Sequence, residues 1–166
     1  MPPYDWSKFC KRITIKASIQ QVYDAWTTRD GLEKWFLRKA EFTRPDGTLR
    51  ERNSPIQTAD AYSWLWFGYG DDVIERGSVL EANGRDVLRF TFTANCLVMV
   101  GVKLEHGETI AELWQENIPV DDDSKASLHL ACMKGWTFYL ANLKSILEGG
   151  LDLRNKNVSL ANVINA

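Results

Sequence analysis

KASLHLACMKGWTFYLANLKSILE, residues 125–148, decides the fold. Within it Leu128, Cys132, Trp136, Tyr139, Leu143 and Ile146 follow one another at spacings of four, four, three, four and three, the period of a single apolar helix face. At about 1.5 Å per residue the helix is about 35 Å long, enough to cross the whole sheet of a small domain. The acidic run Asp121-Asp122-Asp123-Ser124 before it suits the positive end of a helix dipole, and Gly149-Gly150 ends it. A helix this long with one apolar face must lie on something broad.

The segments upstream supply it. Leu97–Glu105 and Thr109–Ile118 read as two arms of a hairpin across His106-Gly107, with Val98, Val100, Val102 and Leu104 on one face of the first arm. In the second arm Ala111, Leu113 and Gln115 share a face, and Glu112, Trp114 and Glu116 share the other. Val73–Ala82 and Val87–Thr93 form another hairpin across Asn83-Gly84, the strongest two-residue hairpin signal in the chain, with Leu88, Phe90 and Phe92 on one face. Tyr62, Trp64 and Trp66 alternate with Ser63, Leu65 and Phe67, predicting a strand that is central in its sheet or covered on both faces. Lys39 begins a strand that ends at the turn Pro45-Asp46-Gly47, and Arg50–Ala59 reads as loop.

At the other end Phe9, Ile13 and Ile15 alternate with polar neighbours as a half-buried strand does. Ser18 follows as a helix N-cap with Gln21 in capping-box position, and Ile19, Val22, Tyr23 and Trp26 recur at helical spacing. Asp30-Gly31 interrupts that helix, and Leu32, Trp35 and Phe36 give a second short one. Strand, two short helices, about six more strands and a long helix predict an α+β domain: a curved antiparallel sheet of six to seven strands wrapped on the last helix. Residues 1–150 make this one domain, and 151–166 a polar tail with Val158, Leu160, Val163 and Ile164 that docks on the body or on a partner subunit.

Composition narrows the function. The 20 basic and 22 acidic residues leave a formal charge of −2 with no basic runs, which argues against nucleic acid. The N-terminus has no signal-peptide pattern and no segment reaches the length of an apolar membrane span, so a soluble, cytoplasmic chain is expected. Cys10, Cys96 and Cys132 lack metal or disulfide spacing and read as buried thiols. His106 belongs to an exposed turn; His129 stands three residues before Cys132, where the two could pair along the helix. Asp121–Asp123 reads as capping rather than as a metal site, and Gly68-Tyr69-Gly70 lacks the rest of a dinucleotide loop. No catalytic group, metal or cofactor is expected.

The order of Val22-Tyr23-Asp24-Ala25-Trp26-Thr27, Gly31-Leu32-Glu33-Lys34-Trp35-Phe36, Gly77-Ser78-Val79-Leu80-Glu81, Leu88-Arg89-Phe90-Thr91-Phe92 and Gly135-Trp136-Thr137-Phe138-Tyr139-Leu140-Ala141-Asn142-Leu143-Lys144 resembles the heat-shock-protein-90 ATPase-activator homologues of the START-like superfamily. The likeness runs from Cys10 to Glu148 and implies the helix-grip fold. Activity is implied only weakly, because the superfamily hosts carriers, receptors and cyclases.

A helix across a concave sheet encloses an apolar cavity, the usual small-molecule site. Strand parity and helix spacing give its lining as Trp64, Trp66, Phe90, Phe92, Leu113, Gln115, Met133, Trp136, Tyr139 and Leu140, with Trp35 at the entrance. Gln115 is the polar member, orienting a ligand or satisfied by backbone or by the Tyr139 hydroxyl. The leading reading is a non-catalytic binder of an apolar small molecule. The alternatives are a protein-interaction module, such as a chaperone co-factor or a homodimer using the tail and the aromatic face at Trp114, and a cyclase- or hydrolase-like enzyme.

Overall fold

The computed structural model describes residues 1–165. Seven strands form one antiparallel sheet: β1 Phe9–Thr14, β2 Lys39–Thr43, β3 Ala61–Leu65, β4 Glu75–Ala82, β5 Val87–Phe92, β6 Cys96–Glu105 and β7 Glu108–Glu116, in the order β1-β7-β6-β5-β4-β3-β2. Helices α1 (Ile19–Thr27) and α2 (Arg29–Trp35) follow β1. The C-terminal helix runs through α3 (Asp122–Ser124), a π-helical stretch Lys125–Leu130 and α4 (Ala131–Leu147). The expected helix-grip architecture is present.

Alternation along each strand places one apolar row inward. Ala40 and Phe42, Tyr62 and Trp64, Val79, Leu88 and Phe90, Val98, Val100 and Val102, and Ala111 and Leu113 are all buried in a single core with Trp136, Tyr139, Leu140 and Leu143 of α4. Leu104 continues the β6 row but lies past the helical cover and is exposed. The Ser18–Gln21 capping box is formed, and Tyr23 ties α1 to the β4–β5 turn by accepting from the Gly84 amide and donating to the Val87 carbonyl. His106 and Gly107 both have positive φ, as a two-residue hairpin turn of this twist requires.

The β4–β5 connection keeps its expected limits, Ala82 and Val87, and the Asn83 side chain accepts from the amides of Arg85, Asp86 and Val87 across it. Three expectations change. Strand β4 starts at Glu75, since Val73 closes a turn onto the Gly70 carbonyl. Strand β3 is next to the sheet edge rather than central; only its Tyr62–Trp64 face is buried, and Trp66 lies beyond its end. The long helix is not uniformly α. Its π-helical turn widens the spiral, so that both Leu128 and His129 turn inward.

The segment after the helix is fastened to the body by Arg154. Its guanidinium is buried and donates to the carbonyls of Glu33, Lys34 and Leu37, capping the end of α2, and to Asp152. Asn142 reinforces it, donating to the Trp35 carbonyl and accepting from the Leu153 amide at 2.7 Å each. Burial alone would raise the Asp152 pKa, but hydrogen bonds from Arg154 and Lys156 hold the carboxyl well below the ordinary carboxylate range. The folded pKa therefore lies under the unfolded one. As pH falls, the unfolded chain takes up the proton first, and this contribution drains away below about pH 4. Arg154→Ala is expected to lower unfolding free energy by about 3 kcal/mol at neutral pH and to flatten the acid limb of stability against pH. Urea titrations of both proteins between neutral pH and pH 2 measure both effects.

Candidate functional site

A recess of about 290 Å³ opens where the start of α4 passes over the ends of β3, β4 and β5. Phe36 comes from the C-cap of α2, Trp66, Tyr69 and Val73 from the β3–β4 connection, and Phe92 and Thr93 from the end of β5. Ala131, Cys132, Gly135, Trp136 and Tyr139 come from α4. The rings pack as a continuous array. The Phe36 centroid lies 5.2 Å from Trp136, 4.9 Å from Tyr139 and 5.9 Å from Trp66, and Phe92 lies 5.4 Å from Trp136. Most of these contacts are edge-to-face or tilted, the arrangement ring quadrupoles favour.

Of the residues expected at a cavity, Trp66, Phe92, Trp136 and Tyr139 line this recess. Trp64, Phe90, Leu113, Gln115 and Leu140 are buried behind it in the core, and Met133 packs beside that core without reaching the recess. Trp35 is not at an entrance; it is fully buried, with Nε1 donating to the Ala25 carbonyl at 2.9 Å. Rings fill the core behind the recess, which is the space they leave beside the start of α4. Phe36, Tyr69, Val73, Thr93, Ala131, Cys132 and Gly135 are lining residues that sequence reasoning missed. Cys132 already stood on the apolar helix face. Tyr69 and Val73 carry no periodic signal, because they sit in a connection.

Polar groups around the recess are few. The Gln115 side chain is fully buried and its Oε1 accepts from Trp136 Nε1 at 2.9 Å, not from Tyr139. Gln115 Nε2, Trp64 Nε1 and the Tyr139 hydroxyl have no partner among the described residues. Desolvation pushes the Tyr139 and Cys132 pKa values up, keeping both groups protonated at neutral pH. Trp114, on the opposite sheet face, is half-buried and its Nε1 donates to Glu112.

His129 does not pair with Cys132. It is fully buried, with Nδ1 2.8 Å from the Trp6 carbonyl and Nε2 2.8 Å from the Tyr4 hydroxyl. A carbonyl only accepts, so Nδ1 carries a proton and donates to it. The ring clasps the N-terminal segment, edge-on to Tyr4, Trp6 and Phe9. Among the described residues no group of three or more acidic, histidine or cysteine side chains could hold a metal ion. Asp121 caps the helix, accepting from the Ser124 amide. Among the same residues no helix is long and apolar enough to cross a membrane.

The family model for activator of Hsp90 ATPase homolog 1-like proteins matches residues 16–148. The chain belongs to this family. Solved structures similar to this family member include protein SSP2350 from Staphylococcus saprophyticus, at 13% identity and a TM-score of 0.69 over 89% of this chain and 96% of that one. The Aha1 dimer from Colwellia psychrerythraea, solved in solution, matches at 18% identity and 0.64 over 86% and 97%. DynU16, from the dynemicin biosynthetic locus, matches at 19% and 0.65 over 90% of this chain and 50% of its own length. At these identities the likeness is one of fold. No curated protein matches the chain in sequence.

The Trp136–Gln115 bond joins helix to sheet between two buried side chains, where an orphaned donor is costly. Gln115→Leu is expected to lower stability by about 1–3 kcal/mol, and Trp136→Phe to cost less in that background than alone. A double-mutant cycle by urea unfolding should give about 1 kcal/mol of coupling.

Proposed function

We propose that this family member is a cytoplasmic, non-catalytic binder of a small apolar molecule held in the recess at the start of α4. The observation that carries the reading is the recess itself, about 290 Å³ walled by Phe36, Trp66, Tyr69, Phe92, Trp136 and Tyr139. Concave apolar pockets with a few fixed polar groups are the usual small-molecule sites. Three unpaired cysteines support a reducing compartment. The neutral probe N-phenyl-1-naphthylamine is expected to gain fluorescence on binding and to quench tryptophan emission. Gly135→Leu, which fills the recess from the helix while improving helix propensity, should weaken that binding at least about tenfold without lowering the melting temperature. Binding unchanged by this substitution would place the probe elsewhere and sink the reading.

A second reading is self-association through the tail. Val158 and Ile164 are 91% and 78% exposed, and Leu160 and Val163 stand out beside them. The Colwellia relative is described as a dimer. Deletion of residues 157–166 is expected to convert a dimer to a monomer in sedimentation. A full chain that sediments as a monomer at 100 µM (roughly 2 mg/ml) ends this second reading.

A further inference from the structure

We propose that the recess selects a cation: a small apolar molecule bearing one ammonium or other onium group, with Glu75 as its counter-ion. This rests on the recess being a small-molecule site. Six aromatic rings line it and no lysine, arginine or histidine does. Ring faces carry negative quadrupole potential and attract a cation within about 6 Å of the centroid, most strongly where water is excluded.

Glu75 supplies the formal charge. It stands opposite Trp64 in the β3–β4 register, and directly opposed residues of antiparallel strands share a sheet face. That face is the concave one, because Trp64 is buried there, 5.5 Å from Phe36 and 5.3 Å from Phe90. Two residues earlier in the chain Val73 already lines the recess. The Glu75 side chain is half-buried; desolvation raises its pKa, and among the described residues no opposing charge or hydrogen bond lowers it. Glu75 is not itself part of the lining; it stands behind Val73 and acts weakly on the Cys132 thiol, which is.

A partly desolvated carboxylate without a partner is unfavourable, and an arriving cation relieves that cost where a neutral molecule of the same shape does not. The difference is selectivity, and it disfavours anions by the same argument. Arg154, whose charge acts on Tyr139, does not cancel the effect, since Asp152 lies 2.8 Å from its guanidinium.

The test uses two molecules of equal shape, benzyltrimethylammonium and neopentylbenzene, in which a quaternary carbon replaces the nitrogen. Each displaces N-phenyl-1-naphthylamine from the full chain at fixed ionic strength. The cation is expected to bind about tenfold more tightly than its neutral twin. Glu75→Gln, checked for an unchanged melting temperature, should remove most of that preference and leave the neutral molecule's affinity within about twofold. Equal affinities in the unmodified protein, a preference for the neutral molecule, or a cation preference untouched by Glu75→Gln would each overturn the inference while leaving small-molecule binding intact. Failure of the naphthylamine probe and both displacers to bind removes the binding reading and this inference together.

Discussion

The hydrogen bond from Trp136 to Gln115 sets the roll of the C-terminal helix on the sheet. Both side chains are buried, and an indole donor left without an acceptor there is costly, so the helix presents Trp136 toward β7. Once that is fixed, helical spacing sends Tyr139, Leu140 and Leu143 inward with it. Cys132 and Gly135 are then carried to the rim facing β4 and β5. The recess is a consequence of this roll together with a mismatch of widths: seven strands are broader than one helix can cover. Helices α1 and α2 fill one side of the shortfall, and the other side stays open.

Much of this was legible in the residues because it depends on local rules. The capping box at Ser18, the positive-φ turn at His106-Gly107 and the period from Leu128 to Ile146 each follow from neighbours a few positions apart. The interior rows of β3, β5 and β7 followed from parity alone. What stayed hidden depends on where the sheet ends. Trp66 continues the alternation of Tyr62 and Trp64 in sequence, yet it lies past the last pair of β3, and so it borders open space where Trp64 is walled in. Phe90 and Phe92 divide in the same way. Parity tells the inner face from the outer one; it does not tell the filled part of the interior from the empty part.

Two side chains that sequence reasoning treated as bland or left unread hold the chain's ends. His129 uses both ring nitrogens on the N-terminal segment, and Arg154 closes the end of α2 from the C-terminal one. Neither has a local signature, since the partners of His129 lie more than a hundred residues away in sequence, as do those of Arg154 at Glu33, Lys34 and Leu37. The π-helical turn belongs with His129. It is the local widening that lets one face of the helix reach the N-terminal segment while the next turn addresses the recess.

The pairing of β1 with β7 has a bearing on how the chain is made. Phe9 and Gln115 are register partners, so the first strand waits for the last one, and its hydrogen-bonding edge stays unpaired until about a hundred more residues exist. At roughly 5–20 residues per second of synthesis that delay is of the order of 5–20 s. During it, α1 and α2 can dock only on β2 to β6. Phe36, Phe42, Tyr62, Trp64 and Phe90 therefore leave the ribosome before Gln115 does, and Trp136 and Tyr139, which complete the aromatic core, leave after it.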